Sequence, residues 1–238
     1  MIRKFLQKLA FPNSYNNEAF VKYLKKKGIT IGEGCIFFSP NTTYIDIQRP
    51  HGMQVGNYVK IASGVSILCH DYARSVLCSL KEYGNVGEFK QTVIGNNVFI
   101  GMNSIILMGS KIGNNSIVGA GSIVSGTFPD DSIICGNPAK RICSLDEYYQ
   151  KRKLKEVSEA KEFVILWRKL YHRNPTIDEM TNSFAWLYLP RDRNTIIEHP
   201  NLFNLSGIDK EVFLDTFMKT KPIYNSFEDF LNDVREKL

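Results

Sequence analysis

The stretch "SILCHDYARSV", residues 66–76, sets a thiol, an imidazole and a carboxylate side by side at Cys69, His70 and Asp71. An imidazole changes charge near neutral pH, so a histidine in such a place suits general-base chemistry. The thiol beside it also allows a covalent intermediate. A base of this kind needs a partner for its other ring nitrogen. Asp71 is adjacent, but neighbouring side chains of an extended chain point apart, so Glu82 or a backbone carbonyl is as good a candidate. The other histidines are less well placed: His51 falls in an irregular stretch, and His172 and His199 lie in a helical C-terminal part. His70 opens a segment, residues 69–92, that interrupts a regular pattern, and loops that break a rigid scaffold are where function concentrates.

The pattern that must position it has a period of six. Ile94, Ile100, Ile106, Ile112, Val118 and Val124 keep one register. Four positions beyond the first five stand Val98, Ser104, Ser110, Ser116 and Ser122, and Gly95, Gly101, Gly113 and Gly119 directly follow four of the aliphatics. Upstream, Ile31, Phe37, Val55, Ile61 and Ile67 share a register with lapses at Thr43 and Arg49. The count fails between Ile67 and Ile94, which predicts a loop at 69–92. The period is too long for an alternating strand and wrong for a helix face. It predicts a solenoid, in which one hexad cannot bury its apolar face and stacked hexads form one continuous core. Each hexad gives a very short strand and a turn. The aliphatics point inward and stack on their equivalents about 4.8 Å away. Gly and Asn supply the unusual backbone angles of the turns.

The flanks read as helical. In residues 1–28, "NNEAFVKYLKKKG" puts Phe20, Tyr23 and Leu24 on one face and Gly28 at a C-cap. The basic amphipathic stretch Ile2 to Ala10 fits a helix capping the body or a peripheral membrane contact. Residues 144–238 predict a helical subdomain. Ser144 with Glu147 and Thr176 with Glu179 are capping boxes. They start a long helix running to about His172 and another from Ile177. Ser206 and Ser226 are expected to cap two more, near 207–219 and 227–237. Trp167, Phe184, Trp186 and Tyr188 form an aromatic stripe that reads as core or as a stacking platform for a sugar.

Charge and composition narrow the partners. The net charge is +6, with 15 Lys and Arg against 8 Asp and Glu in residues 1–144 and 15 against 16 in the rest. A positive field on the repeat half suits a small polyanionic ligand. No basic stripe with interleaved aromatics points to nucleic acid. No apolar run approaches the roughly 20 residues of a membrane span, and the N-terminus shows no export signal. Five cysteines with no C-x-x-C pair suit reduced thiols in a cytoplasmic protein without a metal.

"VIGNNVFIGMNSIILMGSKIGNNSIVGAGSIV", followed by "ICGNPAKRI", resembles the hexapeptide-repeat acyltransferases, in the branch of galactoside, maltose, xenobiotic and capsule-type O-acetyltransferases. The resemblance covers residues 28–143. It implies a mainly β fold, a left-handed parallel β-helix with three hexads per coil over residues 29–143. An N-terminal helix would precede it and the C-terminal α-helical extension would follow. It implies a homotrimer with the donor, acetyl-CoA, in a groove between two subunits. "HDY" resembles the capsule-type motif and makes His70 the catalytic base, which would take the proton of a sugar hydroxyl of a glycan or its precursor as that hydroxyl attacks the thioester. Backbone N–H groups would hold the oxyanion. Direct transfer of this kind leaves the Cys69 thiol without a covalent role. Matching the motif puts Met102, Ala120, Ser125 and Gly126 against the pantetheine arm and Lys140, with Arg141, near the phosphates. Relatives carry Thr-Lys or Thr-Arg where this chain has Ser125-Gly126, and some a basic residue at Cys143, so the phosphate clamp is weakened here. Asn41, Asp46 and Asp71 are the expected acceptor contacts. N-acetylation of an amino sugar and a non-catalytic trimeric scaffold are the alternatives. A zinc hydratase on the same fold needs three histidines, which His51 and His70 supply poorly.

Overall fold

In the computed structural model, which describes residue 6, residues 8–200 and residues 209–235, the chain divides into two compact units, Met1–Tyr148 and Tyr149–Leu238. The first unit is the solenoid. Its short strands stack into three parallel sheets that form three faces. One face holds Thr30–Ile31, Met53–Val55, Thr92–Ile94, Lys111–Ile112 and Thr127–Phe128. The second holds Ile36–Phe37, Lys60–Ile61, Phe99–Ile100, Ile117–Val118 and Ser132–Gly136. The third holds Tyr44–Ile45, Ser66–Ile67, Ile105–Ile106 and Ile123–Val124. In the regular coils Ile94 pairs with Ile112, Ile100 with Val118 and Ile106 with Val124, so one coil is three hexads. These side chains are almost fully buried and form one core.

The register lapses have a structural cause. The inward residue after Phe37 is Ile45, because a 3₁₀ turn at Pro40–Thr42 adds two residues. A second 3₁₀ turn, Pro50–Gly52, adds four before Val55. The two additions together equal one hexad, so the count of six recovers at Val55. Thr43 and Arg49 are therefore not failed core positions: Thr43 donates its hydroxyl to Ser39 O at 3.0 Å.

The glycines that follow the aliphatics need correcting too. Gly95, Gly101, Gly113 and Gly119 are not the positive-φ positions; those are Asn97, Asn103, Asn115, Gly109 and Gly121, among others. They are glycine because adjacent coils approach too closely for a side chain. A Cβ at Gly101 would lie 2.5 Å from Ala120 N and 2.9 Å from Ala120 Cα. Gly101→Ala is therefore expected to lower stability by about 1–3 kcal/mol, the usual cost of overpacking, read as a drop in the denaturant midpoint. An unchanged midpoint would mean that the coils can separate locally. Beside these glycines an amide ladder ties the first corner together. Asn57 N–H donates to Asn96 Oδ1, Asn96 N–H to Asn114 Oδ1 and Asn114 N–H to Asp130 Oδ1, at 2.7–2.8 Å.

The solenoid is closed at both ends. Helix α1, Asn17–Lys26, is capped by Asn16 and lays Phe20 edge-on to Phe37 at 5.0 Å. Asn17 bonds the first coil through Cys35 O and the N–H of Phe37. At the other end Ala139–Ser144 turns back antiparallel on Ser132–Gly136. The loop between Ile67 and Thr92 contains a short helix, α2 (Arg74–Cys78).

The remaining helices are α3 (Leu145–Tyr171), α4 (Ile177–Phe184), α5 (Arg193–Glu198), α6 (Lys210–Lys219) and α7 (Phe227–Asp233). The Ser144–Glu147 and Thr176–Glu179 capping boxes form as the sequence predicts. Two boundaries differ, and one helix is additional. Helix α6 starts at Lys210, capped by Asp209. Helix α7 ends at Asp233. Helix α5 was not visible as a periodic pattern because it has fewer than two turns; the Asp192 cap was its signal. Ser206, and Ile2 to Phe5 and Gln7 of the N-terminal stretch, lie outside the described residues. The second unit has its own core, built on Ala160, Val164, Met180, Leu187, Tyr188 and Phe230. Within the aromatic stripe, Tyr188 is core, Trp167 stacks between Phe163 and Tyr171, and Trp186 lies half-buried.

Candidate active site

The third corner of the solenoid, between the third face and the first, holds His70 and Cys69. Strand Tyr44–Ile45 lies in register with Ser66–Ile67. The residues that follow each strand are therefore neighbours, and Asp46 N–H donates to Ile67 O at 3.0 Å. This places Asp46 directly under Cys69 and His70, although the sequence separates them by more than 20 residues.

Asp46 is wholly buried and His70 has a side-chain exposure of 12%, so one is hidden and the other reachable. Asp46 Oδ2 bonds His70 Nδ1. The same oxygen accepts the N–H of Cys69 at 3.0 Å, and Oδ1 accepts the N–H of Gln48 at 2.9 Å. Cys69 Sγ lies 3.2 Å from Asp46 Oδ2 and from Arg49 O, and its one proton serves one of them. Burial pushes the Asp46 carboxyl up. The Gln48 N–H, the His70 imidazole, and the N–H and thiol of Cys69 outweigh that and hold it below its ordinary value. A buried carboxylate so supplied with donors stays ionised.

An ionised carboxylate only accepts, so it fixes the imidazole tautomer. Nδ1 carries the proton and Nε2 keeps its lone pair. Nε2 has no hydrogen-bond partner among the described residues, so it is free to take a proton. The ring also meets Tyr72 edge-on at 5.3 Å. This is an imidazole held by a buried carboxylate, an arrangement that suits general-base chemistry.

Asp46 was expected to touch the acceptor. In the structure its two oxygens are bonded within the protein, and it holds the His70 ring nitrogen whose partner the sequence left open. Asp71 does not orient the ring. It is exposed, and Oδ1 accepts the N–H of Ala73. Glu82 is exposed in the loop. The missed signal was the register: Asp46 is the first residue after a strand that pairs with the strand before Cys69.

The surroundings of Cys69 disfavour its thiolate. Burial, the bond to the Asp46 carboxylate and the charge of that carboxylate push its thiol up to about 11. At pH 8 its thiolate fraction is then roughly 100-fold or more below that of a free thiol near 8.5. Iodoacetamide at pH 8 is expected to label Cys69 about 100-fold more slowly in the native protein than in the denatured chain, read by peptide mass spectrometry. Fast native labelling would mean that the thiol is not held as described. Asp46, Cys69 and His70 also bring three metal-ligand-type atoms within 4.8 Å of one another. Here they act as one acceptor and its donors.

The loop returns to this corner along a defined path. Phe89 stacks on His51 with ring centroids 5.3 Å apart, and Arg49 donates to Glu88 O at 2.6 Å. A Cβ at Gly52 would lie 2.9 Å from the Phe89 ring. His51 thus clamps the loop. Between its ends the loop exposes Tyr72, Val76, Leu77, Leu80 and Tyr83.

The other expected contacts do not share one corner. Met102 and Ala120 follow Ile100 and Val118 at the second corner, where Gly121 N–H donates to Met102 O at 2.8 Å. Ser125 and Gly126 follow Val124 at the third corner, the His70 corner. All four are exposed. Lys140 and Arg141 are exposed on the closing strand, and Arg141 Nε donates to Ser132 Oγ at 3.2 Å. Asn41 is exposed in the 3₁₀ turn at Pro40–Thr42.

Comparison with known proteins agrees with this fold. The family model "Bacterial transferase hexapeptide (six repeats)" matches residues 91–126. Protein CapG of Staphylococcus aureus is 43% identical over 151 residues, covering 63% of this chain and 86% of CapG. WbbJ of Escherichia coli (strain K12), named for O-acetyl transfer in lipopolysaccharide biosynthesis, is 34% identical over 120 residues, covering 47% of this chain and 61% of WbbJ. A hexapeptide-repeat acetyltransferase from Vibrio cholerae, VCA0836, aligns over 60% of this chain and 89% of its own with 19% identity and a TM-score of 0.43. The chain belongs to the hexapeptide-repeat acyltransferase family, whose fold is the left-handed parallel β-helix, and it is an acyltransferase. No helix among the described residues is long and apolar enough to cross a membrane.

Proposed function

We propose that the protein is an acetyl-CoA-dependent O-acetyltransferase acting on a sugar hydroxyl of a surface glycan or its precursor. The observation that carries this is the pair at the third corner: a buried carboxylate holding His70 Nδ1, with Nε2 free. Likeness to WbbJ, whose name gives O-acetyl transfer and lipopolysaccharide biosynthesis, supports the acceptor class.

In this reading His70 Nε2 takes the proton of the sugar hydroxyl as its oxygen attacks the thioester carbonyl. The C–S bond then breaks, and the proton goes to the leaving thiolate. Asp46 keeps the ring in the productive tautomer and offsets the charge of the imidazolium as it forms. The pantetheine arm runs along the exposed backbone at Met102 and Ala120 of one protomer and Ser125 and Gly126 of its neighbour in a homotrimer. A groove that draws on two corners needs two chains. Lys140 and Arg141 meet the CoA phosphates. Asn41 and Asp71 are the remaining acceptor contacts, and the site of action is the cytoplasm. The test is CoA release from acetyl-CoA with a panel of free, nucleotide-linked and oligomeric sugars, amino sugars included. Stimulation by a sugar hydroxyl supports the reading. Stimulation only by free amines would replace it with N-acetylation, and no stimulation or acetyl-CoA binding would leave the scaffold.

A further inference from the structure

The second unit holds a cavity of about 280 Å³, lined by residues to which the proposed acyl transfer assigns no role. Tyr149, Trp186, Leu187 and Ile223 give it apolar walls. Its size suits a small ligand rather than a single water. Ile223 is 59% exposed and Tyr149 55%, so the cavity opens to solvent.

Its charges are unbalanced. Glu156 is buried and fully committed: one oxygen accepts the Trp186 indole N–H, the other accepts Lys153 Nζ at 2.6 Å. Arg191 also lines the cavity, and its partners are neutral. Nε donates to Thr220 Oγ1 at 3.1 Å, the terminal nitrogens donate to Leu189 O and Trp186 O, and the guanidinium lies 4.1 Å from the centre of the Phe217 ring. Burial pushes the Arg191 guanidinium down from its ordinary value, the sign of a desolvated charge without a counter-ion. Lys221 stands exposed on the same wall. Three cations and one carboxylate leave a formal charge of +2 around an apolar space.

That combination selects among ligands. An uncharged saccharide would find a ring to stack on but few free acceptors. Both Glu156 oxygens are taken, and the Thr216 and Thr220 hydroxyls donate to Val212 O and Phe217 O. A bare inorganic anion would gain nothing from the apolar walls. A ligand with both an apolar body and an anionic head satisfies both. We propose that this cavity binds an amphipathic anion, its alkyl chain against Trp186 and Leu187 and its phosphate or carboxylate head among Lys153, Arg191 and Lys221. The proposal invokes none of the residues assigned to acyl transfer, so its test does not depend on that reading.

The chain has two tryptophans, so Trp167→Phe in the full-length protein leaves Trp186 as the only indole reporter. Decyl phosphate and decanoate, each below its micelle threshold, are titrated against decyl maltoside, inorganic phosphate and maltose. The expected result is a saturable change in Trp186 emission with one or both anionic chains. Whichever binds tighter identifies the head group. Decyl maltoside should bind at least about tenfold more weakly, and phosphate and maltose not at all. Lys221→Glu, on the exposed wall, should weaken the anionic chain about tenfold with unfolding unchanged. Equal affinity for charged and neutral chains, saturation by maltose alone, absence of saturation, or indifference to Lys221→Glu would each overturn the proposal. Calorimetric titration of the unmodified chain makes the same comparison if Trp167→Phe fails to fold.

Discussion

His70→Ala is expected to lower kcat for sugar-stimulated CoA release by about 100-fold or more, the usual contribution of a general base. The argument is geometric. Nε2 has no hydrogen-bond partner among the described residues, and a buried carboxylate holds the opposite ring nitrogen. Removing the ring also removes one donor from Asp46, so some loss of stability accompanies the change, about 1–3 kcal/mol for a buried acceptor left short of a partner. His70→Asn separates the two effects. Its side-chain amide can donate to Asp46 Oδ2 in place of Nδ1–H, but it has no basic nitrogen. The stability should return while the rate stays low. Acetyl-CoA affinity should be unchanged in both variants, because the proposed donor contacts lie along other coils. A His70→Asn enzyme with wild-type kcat would show that the base lies elsewhere, whatever its stability.

The repeat was legible because its cause is local and periodic. An aliphatic residue every sixth position has one economical explanation, and the core formed by Ile94, Ile100, Ile106, Ile112, Val118 and Val124 follows from counting. The loop was legible as the failure of that count. His70 was legible by its place at the loop's first turn. The position of Asp46 was not, because it depends on two small insertions, Pro40–Thr42 and Pro50–Gly52, that shift residues between corners without altering the overall register at Val55. Counting by six through them misplaces everything between Phe37 and Val55. The glycine reading failed for a related reason. Sequence shows that a glycine is required but not whether an angle or a neighbouring backbone requires it, and here the neighbouring coil decides. The helical unit was legible at its caps, where a side chain bonds its own backbone within three residues. Its interior was less so: Glu156 is buried with Lys153, three residues earlier on the same helix, on one oxygen and the Trp186 indole, 30 residues away in sequence, on the other, and only the first of these is visible as a helix pattern.

Asp46→Asn tests the other half of the pair, and three readouts bear on it. The first is rate. An amide presents a donor as well as an acceptor, so it no longer forces the proton onto Nδ1, nor does it offset the charge of an imidazolium as it forms. A fall in kcat of roughly 100-fold is expected, close to the loss of the base itself, with acetyl-CoA affinity unchanged. The second is stability against pH. The Asp46 carboxyl is held below its ordinary value in the folded protein. Such a group contributes stability that is fully present above its unfolded value near 3.9 and is lost as pH falls through the lower folded value. The wild type should therefore be the more stable protein at pH 7, and the gap to Asp46→Asn should close as the pH is lowered below about 4. The third is the thiol. Burial alone would remain to raise Cys69, because two of the causes that push it up to about 11 are the bond to Asp46 and its charge. Native alkylation of Cys69 at pH 8 should accelerate in Asp46→Asn and not in His70→Asn. A merely structural aspartate would move stability alone. An unchanged rate with slower or unchanged labelling would remove Asp46 from the mechanism and leave His70 to be oriented by something else.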